Sequence, residues 1–454
     1  MFKTFKNAWN IPELRNKILF TIFMIIIFRI GATIPVPFID SNVLKMFFES
    51  ISQTGNILNY LNMFSGDALS KATLFAMSIS PYINASIVMQ LLTVGIPALE
   101  RMAKEGEEGK KKIANITRYV TVVFGIIQGV GFYFLLKAGF PNGENGNISI
   151  IMDYGKGYEL FIAVLIIVSF SAGTAFIMWI GEQINEKGIG NGISIILFAG
   201  IISRMGTFVT QEIGMFTGAF RGEEGISSVP RLSVELLITL VIALIVVAFS
   251  VFMTNAERRI PVQYAKRVVG RKMYGGQSTH IPLKVTMSGV LPIIFAGSFT
   301  ALPATIAAFI PNSKFAEFIQ VNFGHTSWAY LLIYFVLIIA FNFFYVAMQF
   351  NPIEVANNIK NNGGMIMGFR PGKPTSDYIT KILTRITVIG ALFLGFIAVL
   401  PAIIGAISTK AGMTGLGGLA LGGTSVLIVV GVALETVRQI ESQVTMRHYK
   451  GFLE

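Results

Sequence analysis

The stretch SPYINASIVMQLL, residues 80 to 92, decides how the rest of the sequence is interpreted. It lies within an apolar run long enough to cross a bilayer, yet it contains a proline, two amide side chains and two serines. Lipid offers such groups no hydrogen bonds, so polar side chains on a membrane helix usually face protein or a water-filled path. The stretch therefore raises the question of what its polar face contacts.

The composition of the whole chain indicates a polytopic helical membrane protein. Of its 454 residues, 53% are hydrophobic and 13% are charged, which differs from ordinary soluble domains. A β-barrel would show weak alternating segments of about ten residues, whereas the apolar runs here are long and continuous. The absence of cysteine excludes disulfides and thiolate ligands, and with three scattered histidines we predict neither a metal nor a cofactor.

Ten apolar stretches approach the length of about 20 residues that a transmembrane helix needs. The fifth and tenth are the least apolar, and both follow glycine-rich segments, GIGNGIS and GLGGLALGGTS. Weak spans at the same rank in two halves of five point to an inverted repeat, although two glycine-rich loops can also coincide by chance. The predicted spans cover residues 18–38, 74–96, 118–138, 159–180, 190–206, 232–254, 286–310, 328–350, 382–405 and 424–441.

The net charge of +12 is unevenly distributed. Most of the 36 lysines and arginines lie in one alternate set of connections that includes both termini, and the positive-inside rule makes that set cytoplasmic. Two of these loops, 255–284 and 351–385, are too long for simple turns and carry Val, Tyr and Ile between basic residues. We predict that they are ordered and form a docking surface, although solvated charge explains any single lysine.

Enzymatic motifs are missing from the sequence, and we predict that the protein is not an enzyme. GFRPGK, residues 368–373, resembles a phosphate-binding loop, but its glycine spacing is wrong. Ion-coupled transporters usually keep an ionisable group inside the membrane, and the candidates are Arg29, expected to face protein and pair internally, and Glu435, expected to pair with Arg438 one turn away. An inverted-repeat secondary transporter of a small solute or ion is therefore the alternative interpretation.

Several long segments together resemble the SecY family, the channel subunits of the bacterial protein translocase. They are ILFTIFMIIIFRIGATIPVP, NMFSGDALSKATLFAMSISPYINASIVMQLL, WIGEQINEKGIGNGISIILFAGI, RRIPVQYAKRVVGRKMYGGQSTHIPLKV, FNPIEVANNIKNNGGMIMGFRPGKPTSDYI and GGTSVLIVV, in the family's order. The resemblance implies an all-α fold of ten transmembrane helices in two inverted halves, 1–206 and 207–454, around an hourglass pore with a plug helix and a lateral gate. It also implies a channel that passes unfolded secretory proteins across the bacterial plasma membrane and inserts membrane proteins into it.

The same resemblance assigns candidate site residues. The pore ring is Ile83, Ile87, Ile193, Leu197, Ile294 and Ile428. The plug, about residues 59–71, comprises Asn59, Tyr60, Leu61, Asn62, Met63, Phe64, Ser65, Gly66, Asp67, Ala68, Leu69 and Ser70. The polar residues of the lateral gate are Asn84, Ser86 and Gln90, expected to pair across a seam between the second and seventh spans. The docking residues are Arg258, Arg259, Lys266, Arg267, Arg271, Lys272, Arg370 and Lys373.

The resemblance also implies a set of partners. Without a nucleotide site, a channel needs an external source of work, which the family obtains from the SecA motor ATPase or the ribosome. Small membrane subunits of the SecE and SecG types, signal sequences, nascent polypeptides and membrane lipid complete the expected set. We predict a multi-pass protein of the bacterial plasma membrane with both termini in the cytoplasm.

Overall fold

Helices form most of the structure, a computed structural model of the chain. It describes residues 2–52, 62, 65–141, 147–148, 150–152, 155, 157–220, 229–264, 267–269, 272–274, 278–309, 313–322, 327–410 and 417–450. The helices are α1 (Phe2–Asn10), α2 (Pro12–Gly31), α3 (Ser41–Ser52), α4 (Ser80–Gly95), α5 (Pro97–Lys104), α6 (Glu107–Ala138), α7 (Glu159–Lys187), α8 (Gly192–Phe220), α9 (Val229–Asn255), α10 (Leu291–Phe309), α11 (Lys314–Asn322), α12 (Trp328–Gln349), α13 (Pro352–Asn361), α14 (Lys373–Lys410) and α15 (Gly417–Lys450). The strands are β1 (Phe140–Pro141), β2 (Asn147–Ile148), β3 (Glu257–Tyr264), β4 (Arg267–Val269), β5 (Lys272–Tyr274), β6 (Ser278–Lys284) and β7 (Gly364–Ile366).

Each stretch predicted as a span overlaps one helix of the described chain, namely α2, α4, α6, α7, α8, α9, α10, α12, α14 and α15. The boundaries differ most where a helix continues past its apolar run. α14 begins at Lys373 rather than near 382, and its early residues Lys381 and Arg385 are exposed. Polar residues extend a helix readily because each added residue closes one more backbone hydrogen bond, so the hydropathy pattern underestimates helix length here.

Not all of these helices are equally apolar. Within the described residues, four helical segments, 107–137, 159–187, 328–361 and 373–404, are long and apolar enough to cross a membrane. α4 and α5 qualify when they are taken as one unit, although they meet at a bend of 100°. Pro97, the first residue of α5, explains the break, since a helix tolerates proline only in its first turn. The described chain therefore contains several apolar helices, and the full set of ten spans stays a prediction.

The residues just before α4 were predicted to be helical but form turns. Pro35 and Thr73 make an antiparallel bridge that draws this segment against the end of α2. Ala72 and Ser78 have φ angles of 44° and 51°, which no right-handed helix contains. The second predicted span therefore begins as helix only at Ser80, because tertiary pairing outweighs the apolar pattern.

The two long basic loops form one structure. β3 pairs antiparallel with β6 along its length, and Val262 of β3 is also paired with Ile366 of β7. The resulting order β6-β3-β7 joins loop 255–284 to loop 351–385 in a single sheet, called the loop sheet below. A separate small core supports it, formed by Ile260, Val262, Leu283, Ile359, Ile366, Ile379 and Ile386. The prediction that these loops are ordered is confirmed for their described parts.

The largest hydrophobic core joins helices from both predicted halves. It contains side chains from α2, α4, α7 and α8 of the first half and from α10, α12, α14 and α15 of the second. α4 and α6 both pack against α10, while α8 packs against α15. Two of the contacts between the predicted halves are therefore the seam of α4 and α6 against α10 and the seam of α8 against α15.

Candidate functional site

The six residues assigned to the pore ring lie together in the largest core. Ile83 and Ile87 belong to α4, Ile193 and Leu197 to α8, and the remaining two to α10 and α15. The ring residues Ile83, Ile87, Leu197, Ile294 and Ile428 have side chains that are 0 to 5% exposed, and Ile193 packs against them partly buried. Four helices, two from each predicted half, thus supply these six aliphatic residues to one larger core.

These six residues, called the ring set below, have no polar group among their own side chains. The pairs on α4 and on α8 are each four residues apart, so each pair lines one face of its helix. An aliphatic constriction of this kind excludes water and therefore ions, but it discriminates little between the side chains of a polypeptide. The arrangement can close a path without recognising any particular solute.

Gly192, at the start of α8, determines where the neighbouring ring residue Ile193 lies. A Cβ at Gly192 would lie 2.0 Å from the carbonyl oxygen of Gly181 in α7, so only glycine permits this approach of α8. The backbone N–H of Gly192 also donates to Asn185 Oδ1 at 2.7 Å. The glycine-rich segment GIGNGIS is therefore a close contact between two helices, and it sets the position of Ile193, the next residue.

The polar residues of α4 behave differently from the expectation. Gln90 Nε2 donates to Ser86 Oγ at 3.2 Å, one turn away on the same helix, rather than across a seam. Asn84 is 6% exposed, and its Oδ1 accepts no hydrogen bond from the described residues. An i, i+4 bond satisfies both groups locally, which explains why α4 can carry them without a partner helix. The polar face thus includes one buried acceptor that has no donor within the described part of the chain.

The segment assigned to the plug is described only in part. Asn59, Tyr60, Leu61, Met63 and Phe64 lie outside the described residues, while Asn62 and 65–70 are described. The described residues after Ser65 form turns rather than a continuous helix. Ala68 is 1% exposed and belongs to the same core as the ring set. This part of the segment therefore packs against the residues that the resemblance places at the constriction.

The docking residues on loop 255–284 are partly described. Arg258 and Arg259 are exposed on β3, and Arg259 Nε donates to Glu257 Oε1 at 2.7 Å. Arg267 and Lys272 lie on the paired strands β4 and β5. Lys266 and Arg271 lie outside the described residues.

Arg370 occupies a rigid turn between β7 and α14. Its carbonyl accepts a hydrogen bond from Thr375 Oγ1 at 2.8 Å, and the preceding Phe369 stacks on Tyr378 with ring centroids 4.0 Å apart. Gly368 and Gly372 flank it with φ angles of 84° and 105°, which favour glycine. Arg370 itself is exposed, as is Lys373 at the start of α14. The turn thus presents one guanidinium to solvent on a fixed backbone.

Lys284 and Arg438 lie close together at the end of the loop sheet where β6 ends. Burial lowers the pKa of Lys284 and the neighbouring Arg438 lowers it further, while the carboxylates of Glu257 and Glu435 oppose that shift. Arg438 Nη2 donates to the Thr254 carbonyl and to Asn255 Oδ1, each at 2.7 Å. The predicted Glu435–Arg438 pairing is therefore not the hydrogen bond that Arg438 makes, because the arginine satisfies the last carbonyls of α9 instead.

Two polar contacts had no signal in the sequence. Arg204 of α8 lies 3.4 Å, Nε to Oδ1, from Asp67. Asn342 of α12 accepts a short hydrogen bond from Ser288 and donates to the carbonyl of Thr387 at 3.1 Å. The residues that these contacts join are more than 40 positions apart, so no local spacing could have revealed them.

Arg29, predicted to pair internally, has Asp67 as its electrostatic partner.

Comparison with known proteins is consistent with this geometry. A solved structure described as a protein conducting channel aligns with a TM-score of 0.60, covering 94% of this chain and 92% of its own, at 19% identity. Sec61 in a canine ribosome-channel complex aligns with a TM-score of 0.57 over 94% and 92%, at 18% identity. The chain therefore shares the fold of these two structures.

The sequence comparisons are more specific. The family model for SecY matches residues 73–437. The protein translocase subunit SecY of Bacillus subtilis is 44% identical over 455 residues, covering all of both chains. The chain belongs to the SecY family.

Proposed function

We propose that this protein is a protein-conducting channel, through which unfolded secretory proteins cross the bacterial plasma membrane and membrane proteins enter it. The observation that carries the proposal is that the six aliphatic side chains of the ring set, from four helices of the two predicted halves, belong to one apolar core. Such a constriction seals against ions and has no preference among side chains. Membership of the SecY family supports the same conclusion.

The conduit consists of ten transmembrane helices in two inverted halves, 1–206 and 207–454, with both termini in the cytoplasm. Support comes from the seams, because α4 and α6 meet α10 on one side and α8 meets α15 on the other. The ring set lies between these seams at the waist of an hourglass pore. The described end of the plug, which packs against the same core, closes the pore at rest.

The seam of α4 and α6 against α10 is the lateral gate, where signal sequences bind and reach the surrounding lipid. Interhelical hydrogen bonds in membranes are worth only about 0.6 kcal/mol on average. The Gln90–Ser86 bond runs along α4 and therefore survives when the gate parts. Opening the seam then breaks mainly the apolar contacts between its helices, and a bound signal helix makes new apolar contacts in their place.

The loop sheet is the docking surface for the partner that supplies work. It is one body built from two loops, and it presents Arg258, Arg259, Arg370 and Lys373 to solvent. An arginine held on a rigid turn can form paired bonds with a carboxylate or a phosphate, which lysine cannot. The partner is the SecA motor ATPase or the ribosome, and SecE-type and SecG-type subunits complete the assembly.

Reconstitution of the chain with SecE-type and SecG-type subunits in liposomes tests the proposal. Addition of SecA, ATP and a signal-bearing preprotein is expected to place the preprotein where external protease cannot reach it. The same preprotein without its signal is the control and is expected to stay outside. Ion-coupled uptake of a small solute without a motor, combined with failure to protect the preprotein, would instead establish a secondary transporter.

A further inference from the structure

Asn62 and residues 65–70 form hydrogen bonds that fix the direction of one carboxylate. Asn62 Oδ1 accepts the backbone N–H of Ser70 at 2.9 Å, and Asn62 Nδ2 donates to Asp67 Oδ1 at 3.1 Å. Ser65 Oγ accepts the backbone N–H of Leu69 at 3.1 Å. Asp67 itself has a φ of 66°, a left-handed conformation that aspartate and asparagine tolerate better than other residues with side chains. The Asp67 side chain is therefore held by the turn rather than free to rotate into solvent.

Two arginines from different helices approach this carboxylate. Arg204 Nε of α8 lies 3.4 Å from Asp67 Oδ1, with the two side chains 25% and 22% exposed. Arg29 of α2 interacts electrostatically with the same carboxylate. Its Nη1 is buried without a hydrogen-bond partner among the described residues. A partly buried guanidinium in an apolar surrounding needs a compensating charge nearby, and Asp67 is the carboxylate that both arginines share.

The turn also sits directly on the backbone of α8. A Cβ at Gly66 would lie 2.8 Å from the carbonyl oxygen of Gly200 and 3.2 Å from Arg29 Nη1. Glycine at position 66 therefore allows the turn to reach α8. The neighbouring Ala68 enters the core that contains the ring set.

We propose that Asp67, Arg29 and Arg204 form a charge latch that holds residues 65–70 in the resting position beneath the ring set. Asp67 is thus a positioning residue, and its ion pair with Arg204 together with its electrostatic interaction with Arg29 sets how easily this segment is displaced. Apolar packing of Ala68 favours burial but has no direction, whereas two charge contacts from different helices specify one place and orientation. The latch rests on the proposed function, in which this segment closes the pore.

Asp67→Asn is the sharpest perturbation. Asparagine keeps the size of the side chain, the acceptor for Asn62 and the tolerance of a positive φ, but it removes the charge and leaves two arginines facing each other. Because the chain has no cysteine, a single cysteine at Ala68 reports whether the segment leaves its site. The reagent is a membrane-impermeant maleimide, applied to the channel resting in proteoliposomes from the face on which the segment opens.

In the background of Ala68→Cys, Asp67→Asn should raise the labelling rate by about tenfold or more, because breaking a partly buried ion pair is strongly destabilising. Arg204→Gln tests the same latch from α8 and should raise the rate too, by a smaller factor because Arg29 remains. Arg118→Gln is the matched control, since it breaks the 2.7 Å ion pair with Glu182 in the same half, and it should leave the rate unchanged.

The outcomes separate the latch from the proposed function. Unchanged labelling in both latch variants overturns the latch, while normal preprotein transport by those variants leaves the channel function standing. Rapid labelling of the cysteine at 68 with Asp67 intact overturns the closure that the latch presupposes. An increase with Asp67→Asn and Arg204→Gln, but not with Arg118→Gln, establishes it.

Discussion

Replacing Gly192 with alanine should destabilise the protein and open a leak through the resting channel. The new Cβ would lie 2.0 Å from the Gly181 carbonyl oxygen and 2.8 Å from its carbonyl carbon, whereas real Cβ contacts essentially never fall below 3.0 Å. Both atoms are backbone, so the start of α8 has to move by about 1 Å, and Ile193 moves with it. Overpacking of this kind costs about 1–3 kcal/mol, which lowers the free energy of unfolding while the displaced ring residue weakens the seal.

Gly181→Ala provides a matched control at the same helix contact. A Cβ there would first meet Ile196 Cδ1 at 3.5 Å, an ordinary van der Waals distance. Both substitutions gain helix propensity, so only the clash distinguishes them. Thermal unfolding in detergent and ion flux in proteoliposomes measure the two effects. Equal melting temperatures and equal ion fluxes for the two variants would refute the argument that Gly192 sets the position of the ring set.

Three further substitutions test separate parts of the account. Arg370→Glu should abolish SecA-driven preprotein transport, because it reverses the one guanidinium fixed on a rigid turn, while Lys360→Glu on the exposed end of α13 should retain it. Replacing Ile83 and Ile87 together with serine should raise the resting ion conductance, because hydroxyls hydrate a constriction that aliphatic side chains keep dry. Asn342→Ala should lower the free energy of unfolding by about 1–3 kcal/mol, because it removes the hydrogen bonds to the buried Ser288 hydroxyl and to the Thr387 carbonyl.

Each of these predictions has a control and an opposing result. Serine at the exposed apolar positions Leu240 and Leu244, also four residues apart, should leave conductance unchanged, and equal leaks from both pairs would show that the ring set is misplaced. Asn322→Ala removes an exposed hydrogen bond and should change stability little. A comparable decrease in the free energy of unfolding for both asparagine variants would mean that burying the hydrogen bonds of Asn342 adds little to stability. Normal transport by Arg370→Glu would remove that residue from the docking surface.

Much of the fold could be predicted because membrane helices are encoded locally. A continuous apolar run indicates a helix wherever lipid excludes water, and every predicted stretch overlaps a helix. The prediction was wrong just before Ser80, where the bridge between Pro35 and Thr73 imposes turns on an apolar segment. Hydropathy measures burial but carries no information on pairing with a distant segment.

The candidate site also has some features that local sequence predicts and others that depend on contacts between distant segments. The four-residue spacing of Ile83 and Ile87 predicts a shared face, but their place in one core with Ile428 depends on the packing of distant helices. The pairing of Val262 with Ile366, which unites the two loops, is non-local too. The arrangement of the site residues could therefore come only from the structure, although the resemblance to the SecY family identified which residues to consider.

The central claim, that a polypeptide passes through the ring set, is tested most directly by cross-linking during transport. Because the chain has no cysteine, single cysteines can replace Ile294 in the ring set or Phe252, which is 68% exposed on α9. A preprotein arrested midway, with one cysteine in the part crossing the membrane, is then oxidised with each channel variant. The account predicts a disulfide with the cysteine at 294 and none with the cysteine at 252. Cross-links at 252 alone, or equally at both positions, would contradict it.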